Sequence, residues 1–426
     1  MTTSDPTAPG GLGQRGEPTS AFAWVWLPGA TEAVVAGRLD AVGAAFMFTY
    51  GRSYRDRPGA IPLYLPELPL QPGRIRPLHD LPVAGCLADA GPDAWGRRVI
   101  LARHFGRITP SSDTGDLGLL TYLLESGSDR IGALDFQTSA STYTPRTASA
   151  TLEELQTAAE RLERGEPLSP ALDAALLRGT SIGGARPKAL GDDGDRHLIA
   201  KFSSITDPYP VVKAEGVAMD LARRVGLDVA ASEVTSSLRK DVLLVERFDR
   251  TRVPGERRQL VSALTILGLH ELTGRYATYP DLADQIRARF TEPAATLREL
   301  FSRIVFSIAI GNTDDHARNH AAFWDGATLT LTPGYDLCPQ PRSGHEAAQA
   351  MAIGRQGERR SQFRVCLDAA DVYQLTRAEA SEIVERQVAV INEEWDDAAD
   401  AARLTTLERR LLWRRQILNP FVDYDS

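Results

Sequence analysis

Short apolar runs separated by turn residues characterise the first part of the chain. Runs of this length bounded by Gly or Pro predict strands. They cover residues 22–27, 34–39, 44–50 and 132–136. Pro92-Asp93 opens a stretch with helical periodicity. We therefore expect a small sheet with one or two helices over residues 21–145, preceded by a disordered tail over residues 1–20, which is rich in Thr, Ser, Pro and Gly.

After residue 150 the apolar positions repeat every three or four residues, which is the period of an amphipathic helix. The helical patterns begin at a Thr151/Glu154 capping box and include residues 169–178 and 212–225, while strand patterns cover residues 197–202 and 241–246. Strands and helices thus alternate in this part of the chain. We expect residues 146–250 to form a second unit.

Beyond residue 255 the pattern is mostly helical. One apolar-faced helix through Leu297 and Ile308 ends at Gly311, and a hairpin with an Asp325-Gly326 turn follows it. A further capping box opens a C-terminal helix at Thr376. Residues 251–426 are therefore expected to form a third, largely helical unit.

Composition narrows the functional classes. The chain has 426 residues, of which 43% are hydrophobic, which suffices for two or three packed units. Acidic residues outnumber basic ones by 56 to 48, so a general cationic surface for nucleic acid is not expected. The three cysteines are far apart, which indicates neither a zinc site nor a disulfide framework. We find no signal-peptide or membrane-spanning pattern and expect a cytoplasmic protein.

Residues 313–319, Thr-Asp-Asp-His-Ala-Arg-Asn, carry the most chemical information. An aspartate, an asparagine five residues later and a second aspartate beyond a hairpin is the order in which protein kinases present a catalytic base and two magnesium ligands. Asp314 is the candidate base, and Asn319 and Asp336 are the candidate ligands. Oxygen ligands of this kind suit Mg²⁺.

The same loop has a simpler interpretation, in which its acids only cap a helix on the surface. Asp315 has no role in the kinase pattern, and we expect it to be exposed to solvent. His316 is a candidate nucleotide contact; as a zinc ligand it would lack a second His or Cys at a suitable spacing.

A Gly-rich segment, residues 180–189, precedes a strand that contains Lys201. Backbone amides of such a loop can close over phosphates, and a strand lysine is where kinases place the ammonium that pairs with them. Glu215, in the first turn of the next helix, is placed to meet Lys201, although it could instead favour the helix N-terminus. A plain turn would also explain the Gly-Gly pair. The candidate nucleotide-binding residues here are Ser181, Ile182, Gly183, Gly184, Ala185, Lys188 and Lys201.

The strand over residues 241–246 runs into a charged segment. A strand edge can offer a donor and an acceptor from the backbone to an adenine ring. Glu246, Arg247 and Phe248 are therefore the candidate hinge residues, and the predicted cofactors are ATP and Mg²⁺.

Five segments together resemble the HipA family of serine/threonine kinases, the toxin halves of bacterial toxin–antitoxin pairs. They are residues 181–188, 199–202, 245–250, 312–319 and 331–336. The resemblance runs from about residue 22 to the C-terminal helices. It implies an α+β, PI3/4-kinase-like two-lobed fold, with a HipA N-terminal subdomain over residues 21–145, a kinase N-lobe over 146–250 and an all-helical C-lobe over 251–426.

The resemblance also implies functions for individual residues. Asp314 would be the catalytic base, Asn319 and Asp336 would hold magnesium, and Lys201 would contact the ATP phosphates. Ser181 matches the loop serine that family members autophosphorylate, which switches the kinase off.

The implied partners are a HipB-like helix-turn-helix antitoxin and a protein substrate such as an aminoacyl-tRNA synthetase, with DNA reached only through the antitoxin. The loop departs from the family's best-known member, which has a glutamine and a glutamate in place of Arg186-Pro187 before the lysine. That difference leaves the substrate open. The alternatives are a small-molecule kinase of the same fold and a non-catalytic co-repressor that acts with the antitoxin.

Overall fold

A computed structural model describes most of the chain. The described residues are 17–106, 113–147, 150–166, 168–169, 172, 176, 186–193, 196–204, 207–342, 344 and 346–423. Most of the expected tail over residues 1–20 and of the helix over 169–178 therefore lies outside the described residues. We refer to residues 17–147 as the N-terminal unit, 150–250 as the central unit and 251–423 as the C-terminal unit.

The N-terminal unit is built on a five-stranded antiparallel sheet. Its strands, in spatial order, are β4 (Arg74–Ile75), β3 (Ala45–Tyr50), β2 (Ala33–Val42), β1 (Ser20–Trp26) and β5 (Leu134–Gln137). The helices are α1 (Arg52–Arg55), α2 (Gly85–Ala88), α3 (Ala94–Phe105) and α4 (Leu119–Glu125), with a 3₁₀ turn at Thr114–Asp116. The four predicted strands and the helix after Pro92-Asp93 are confirmed.

Among its described residues, the central unit contains a four-stranded antiparallel sheet flanked by two helices. Its strands, in spatial order, are β6 (Lys188–Asp193), β7 (Arg196–Phe202), β9 (Lys240–Glu246) and β8 (Ser232–Ser237). The helices are α5 (Leu152–Glu163), which begins with the predicted capping box, and α6 (Val211–Arg224). The sheet lies between them and carries the strand lysine, Lys201, on β7.

The C-terminal unit combines a helical bundle with a small sheet. Its helices are α7 (Ala263–Ile266), α8 (Tyr279–Arg289), α9 (Pro293–Ile310), α10 (Phe363–Asp368), α11 (Arg377–Ala401) and α12 (Thr406–Leu412), with 3₁₀ turns at Gly274–Tyr276, Ala317–Asn319, Ala370–Tyr373 and Pro420–Asp423. The sheet has the order β10 (Leu260–Ser262), β11 (Ala321–Trp324) and β12 (Leu329–Leu331). The expectation of an all-helical lobe is therefore wrong: β10 adds a third strand to the predicted hairpin.

The three units share their apolar cores. One cluster of buried residues extends from Ala21 in β1 to Val422 near the C-terminus. A second cluster packs Trp95 and Val99 of α3 against α5 and against strands β6, β7 and β9. Helix α3 thus belongs by sequence to the N-terminal unit and by packing also to the central unit. Within the described ranges, no helix has the length and hydropathy needed to cross a bilayer.

Candidate active site

Lys201 joins the central unit to the C-terminal unit. Its Nζ donates hydrogen bonds to Glu215 Oε1 at 2.5 Å and to Asp336 Oδ1 at 2.5 Å. The predicted contact between Glu215 and Lys201 is confirmed, although Glu215 lies beyond the first turn of α6 and its side chain is buried. Such a lysine, held between a helix glutamate and an aspartate that follows a hairpin, has the connectivity of a kinase nucleotide site.

Lys201, Glu215 and Asp336 shift one another's pKa values. Burial alone would lower the pKa of Lys201, but Asp336 and Glu215 outweigh it and hold the pKa above its ordinary value. Lys201 in turn lowers the pKa of Asp336 to about 2. Burial dominates at Glu215 and raises its pKa despite Lys201. At neutral pH the site therefore presents a protonated lysine beside an ionised aspartate.

Asp336 is held in an uncommon backbone conformation. Its φ is +60°, in the left-handed region that Asp tolerates better than most residues. The preceding side chain, Tyr335, donates from its hydroxyl to the carbonyl of Arg318 at 2.7 Å. Because Arg318 precedes Asn319, this bond ties the segment of Asp336 to the loop that carries the other predicted magnesium ligand.

The predicted catalytic loop follows α9, a long buried helix that ends at Gly311 in the left-handed conformation. Asp314 is exposed on this loop. Surrounding protein atoms still remove part of the water around its carboxylate, which raises the pKa of Asp314. The charge of His316 opposes this shift, and the negative charges of Asp336 and Asp315 add to it. A carboxylate with a raised pKa is a better proton acceptor, which suits a general base.

Asp315 is buried, so the expectation that it is exposed is wrong. Its Oδ2 accepts hydrogen bonds from the hydroxyls of Tyr279 at 2.6 Å and Ser307 at 3.1 Å, and its Oδ1 lies 3.0 Å from His320 Nε2. The contact between Asp315 and His320 therefore joins the two ends of residues 315–320, the segment that contains Asn319. Asp315 therefore anchors the loop while its neighbour Asp314 remains accessible.

The residues present fit a magnesium ion. The side chain of Asp336 is 42% exposed and ionised, and only its Oδ1 is bound to Lys201. The amide nitrogen of Asn319 donates to the Asp314 carbonyl at 3.3 Å, which leaves the amide oxygen as a ligand. A carboxylate and an amide oxygen are donors that Mg²⁺ accepts, with water and phosphate oxygens completing its coordination.

Lys188, a predicted nucleotide contact, is bound to the N-terminal unit. Its Nζ donates to Asp93 Oδ2 at 3.0 Å, and both side chains are buried. Burial lowers the pKa of Lys188, and the carboxylate of Asp93 opposes that shift. In the ladder between β6 and β7, Lys188 lies opposite Lys201. The other predicted residues of this loop, Ser181, Ile182, Gly183, Gly184 and Ala185, lie outside the described residues.

The three predicted hinge residues differ in their surroundings. The amide of Arg247 donates to His197 O at 2.8 Å, and its guanidinium forms buried ion pairs with Asp129 and Asp249. The amide donor of Arg247 is therefore used within the protein, and a nucleotide contact of this residue through another group stays a prediction.

Phe248 packs edge-on against Phe323 and tilted against Tyr335, next to Asp336. Glu246 ends β9 with its amide bound to Ala231 O. His316 is partly buried at the start of the 3₁₀ turn that ends at Asn319. Nucleotide contacts of Glu246, Phe248 and His316 stay predictions.

Two carboxylates of the N-terminal unit lie near this site, and no sequence pattern predicted their positions there. One is Asp93. The other, Asp89, accepts hydrogen bonds from the amide and hydroxyl of Ser262 and from the hydroxyl of Thr265, and its Oδ1 lies 3.9 Å from Arg318 of the predicted catalytic loop. Their partners lie roughly 100 to 230 positions away in the sequence, a separation that no local pattern or periodicity reveals.

Two protein-family profiles match the chain. The profile of the HipA-like C-terminal domain matches residues 180–395, and that of the HipA N-terminal domain matches residues 25–137. The chain belongs to the HipA family. The two matches together include strands β2 to β5 and the end of β1 in the five-stranded sheet, the strand lysine and the predicted catalytic loop of this HipA-family chain.

Individual relatives match a part of the chain. The chain is 27% identical over 187 residues to a serine/threonine-protein kinase toxin HipA of Shewanella oneidensis, a match covering 37% of this chain and 42% of that protein. It is 31% identical over 147 residues to a putative kinase, Y4mE, of Sinorhizobium fredii, covering 33% of each. These matches span about two fifths and one third of the relatives' lengths.

A solved structure resembles nearly the whole fold. It is HipA of Shewanella oneidensis MR-1 in a complex with HipB and its operator DNA, with a TM-score of 0.65 and 20% identity. The likeness covers 91% of this chain and 95% of that one. It shows that the units of the present HipA-family chain are arranged as in that protein.

Proposed function

We propose that this HipA-family chain is an ATP- and Mg²⁺-dependent protein serine/threonine kinase. The observation that carries the proposal is Lys201, whose ammonium lies between the carboxylates of Glu215 and Asp336. An ion pair that only stabilises the fold would need no more than one carboxylate beside the lysine. Two carboxylates from different units, next to a loop with an exposed aspartate, are what a phosphate-binding lysine needs in order to be both charged and fixed.

Each residue then has a defined role. Lys201 pairs with ATP phosphates and orients them. Asp314 accepts the proton of the attacking hydroxyl, for which its exposure and raised pKa suit it. Asn319 and Asp336 would hold Mg²⁺, which neutralises charge on the phosphates as the phosphoryl group is transferred. Asp315, with Tyr279 and His320, fixes the loop so that Asp314 does not have to be ordered during the reaction.

We extend the proposal to regulation and partners through the relatives. The protein would act as the toxin of a toxin–antitoxin pair and bind a HipB-like antitoxin, as the HipA of the solved complex does. DNA would be reached only through that antitoxin, which agrees with a net charge of −8. The proposed substrate is a protein, with an aminoacyl-tRNA synthetase as the first candidate.

The test is transfer of labelled γ-phosphate from ATP by the purified chain, with and without a cell extract. We expect Mg²⁺-dependent label on protein, and its loss in Asp314→Asn, which keeps the shape of the side chain but cannot accept a proton. Label on a small molecule alone would favour a small-molecule kinase. Absence of both transfer and ATP binding would favour the co-repressor, and wild-type transfer by Asp314→Asn would remove Asp314 from its role.

Mapping of the label tests autophosphorylation. We propose that Ser181 is modified, because a phosphate adds roughly two negative charges to a loop whose amides are needed for ATP. Ser181→Ala should then abolish self-labelling and keep the kinase active over time. Label on another residue of the unaltered chain, or unchanged ATP affinity after labelling at Ser181, would contradict this switch.

A further inference from the structure

Within the part of the chain that the structure describes, three contacts anchor the stem that follows the Gly-rich loop, residues 186–188. They are an ion pair between Arg186 and Asp207, a hydrogen bond from the amide of Phe202 to Pro187 O at 3.0 Å, and the ion pair between Lys188 and Asp93 at 3.0 Å. The first two anchors lie within the central unit. The third belongs to the N-terminal unit, so a residue outside the kinase lobes helps to fix the stem.

Asp93 is itself fixed by the start of α3. Its Oδ1 accepts from the amide of Gly96 at 2.6 Å as the N-cap of the helix, while Oδ2 accepts from Lys188. Trp95 and Val99, in the following turns, are buried between α5 and the four-stranded sheet. The carboxylate therefore cannot follow Lys188 if the stem shifts, because both the cap and the packing hold it in place.

Lys188 and Lys201 form a pair of like charges. Residues directly opposite each other in an antiparallel ladder point to the same face of the sheet, with Cβ atoms about 4.5–5.5 Å apart. Lys201 has Glu215 and Asp336 as its partners. Only 3% of the Lys188 side chain is exposed, so its charge needs a carboxylate of its own. Asp93 supplies it through a hydrogen bond at 3.0 Å, whereas Lys188 acts on Glu215 and Asp336 through its charge alone and lowers the pKa of each.

We propose that Asp93 is a positioning residue of the nucleotide site, by which the N-terminal unit fixes Lys188 and the stem of the Gly-rich loop beside Lys201. This inference rests on the proposed function. Without the charge of Asp93, Lys188 turns to the carboxylates that hold Lys201, and the stem loses its third anchor. Tight binding of ATP therefore depends on the docked N-terminal unit.

The experiment compares Asp93→Asn with the unaltered full-length chain. Asparagine keeps an oxygen for the Gly96 amide and loses the charge that binds Lys188. We expect the Kd of Mg·ATP in a calorimetric titration and the KM for ATP to rise about tenfold, as for loss of one charged hydrogen bond, while kcat at saturating ATP changes by less than about twofold. Asp113→Asn is the matched control, since Asp113 also caps a helical turn of the N-terminal unit, through Gly115 at 2.8 Å.

A purely structural contact would give a different result. Asp93→Asn would then lower the thermal midpoint and leave the Kd of Mg·ATP within about twofold of the unaltered chain, which overturns the inference. An equal loss of affinity in Asp113→Asn also overturns it. If Asp93→Asn does not fold, Asp93→Ser, which retains an N-cap hydroxyl without charge, replaces it. An unaltered chain that binds no ATP overturns the proposed function itself, whereas normal binding by both chains overturns only the role of Asp93.

Discussion

The carboxylate of Asp336 is placed to interact both with Lys201 and with the proposed Mg²⁺. One oxygen accepts a hydrogen bond from Lys201, and the side chain remains 42% exposed. Because Lys201 holds its pKa near 2, the carboxylate stays ionised and available to a cation throughout the physiological range. Asp336 would thus link Lys201 to the proposed metal, and its loss should affect both.

We expect Asp336→Asn to remove most of the effect of Mg²⁺ on ATP affinity. Asparagine tolerates the left-handed backbone of this position, so the fold is kept while the charge is lost. Affinity in the presence of Mg²⁺ should fall by about ten- to a hundredfold, measured by calorimetric titration with and without the metal. Asp325→Asn, in the exposed hairpin turn, is the control, and unchanged affinity in Asp336→Asn would remove it from the metal site.

The sequence predicted the types of these residues but only part of their surroundings. Asp314, Asn319 and Asp336 could be chosen because their spacing is a local property of the chain. The burial of Asp315 could not, since it depends on Tyr279 and Ser307, which come from two helices earlier in the chain. The same holds for Arg247, whose partners include Asp129 of the N-terminal unit.

At the scale of elements, helix α9 positions the predicted catalytic loop. It is buried along most of its length and ends at Gly311, whose φ is +72°. A Cβ at this position would lie 2.7 Å from the carbonyl oxygen of Gln416. Both the dihedral angle and the close approach therefore require glycine, three residues before Asp314.

Gly311→Ala should lower the free energy of unfolding by more than the roughly 1 kcal/mol that a left-handed alanine costs. The control is Gly226→Ala, which follows α6 with a φ of +91° and has no atom within 4 Å of the added Cβ. Chemical denaturation of both variants separates the two contributions. Equal losses would mean that the chain near Gln416 moves aside at no cost.

The elements themselves were largely predictable, because capping boxes, apolar periods and turn residues are local signals. The capping boxes at Thr151 and Thr376 and the end of α9 at Gly311 are where the sequence placed them. Strand β10 was not predicted, since a three-residue strand has too few positions for a period to be detected. It forms because Leu260–Ser262 pairs with β11.

At the scale of the whole molecule, a buried charge network joins the N-terminal unit to the connection between the lobes. Arg247 and Arg250 share the carboxylates of Asp129 and Asp249, and Asp249 also accepts from the amide of Gly132 at 2.7 Å. Burial would raise the pKa of both aspartates, but the guanidinium groups outweigh it and lower both, that of Asp249 to about 2.

Acid should therefore destabilise the folded chain through this network. A carboxyl whose folded pKa lies below its unfolded value, about 3.9, contributes its full stability above that value and loses it as the pH falls towards 2. We expect the unfolding free energy to fall less steeply between pH 4 and pH 2 in Asp249→Asn than in the unaltered chain, measured by chemical denaturation at each pH. At pH 7 the variant should be about 3–5 kcal/mol less stable, because it leaves two buried arginine charges with the single carboxylate of Asp129.

Asp284→Asn is the matched control for this measurement. Asp284 forms an exposed ion pair with Arg355, which also lowers its pKa, yet exposed pairs contribute only about 0–1 kcal/mol. If Asp249→Asn and Asp284→Asn have the same pH dependence, the buried network does not govern acid unfolding.

The same network restricts motion. Kinase lobes commonly close over a nucleotide by rotation about a few residues that absorb changes in φ and ψ. The predicted hinge of this chain follows β9, where Arg247 and Arg250 donate hydrogen bonds to the backbone carbonyl of Arg130. Rotation there would break buried ion pairs, so the four-stranded sheet and the helical bundle should superimpose as one rigid body in structures with and without nucleotide.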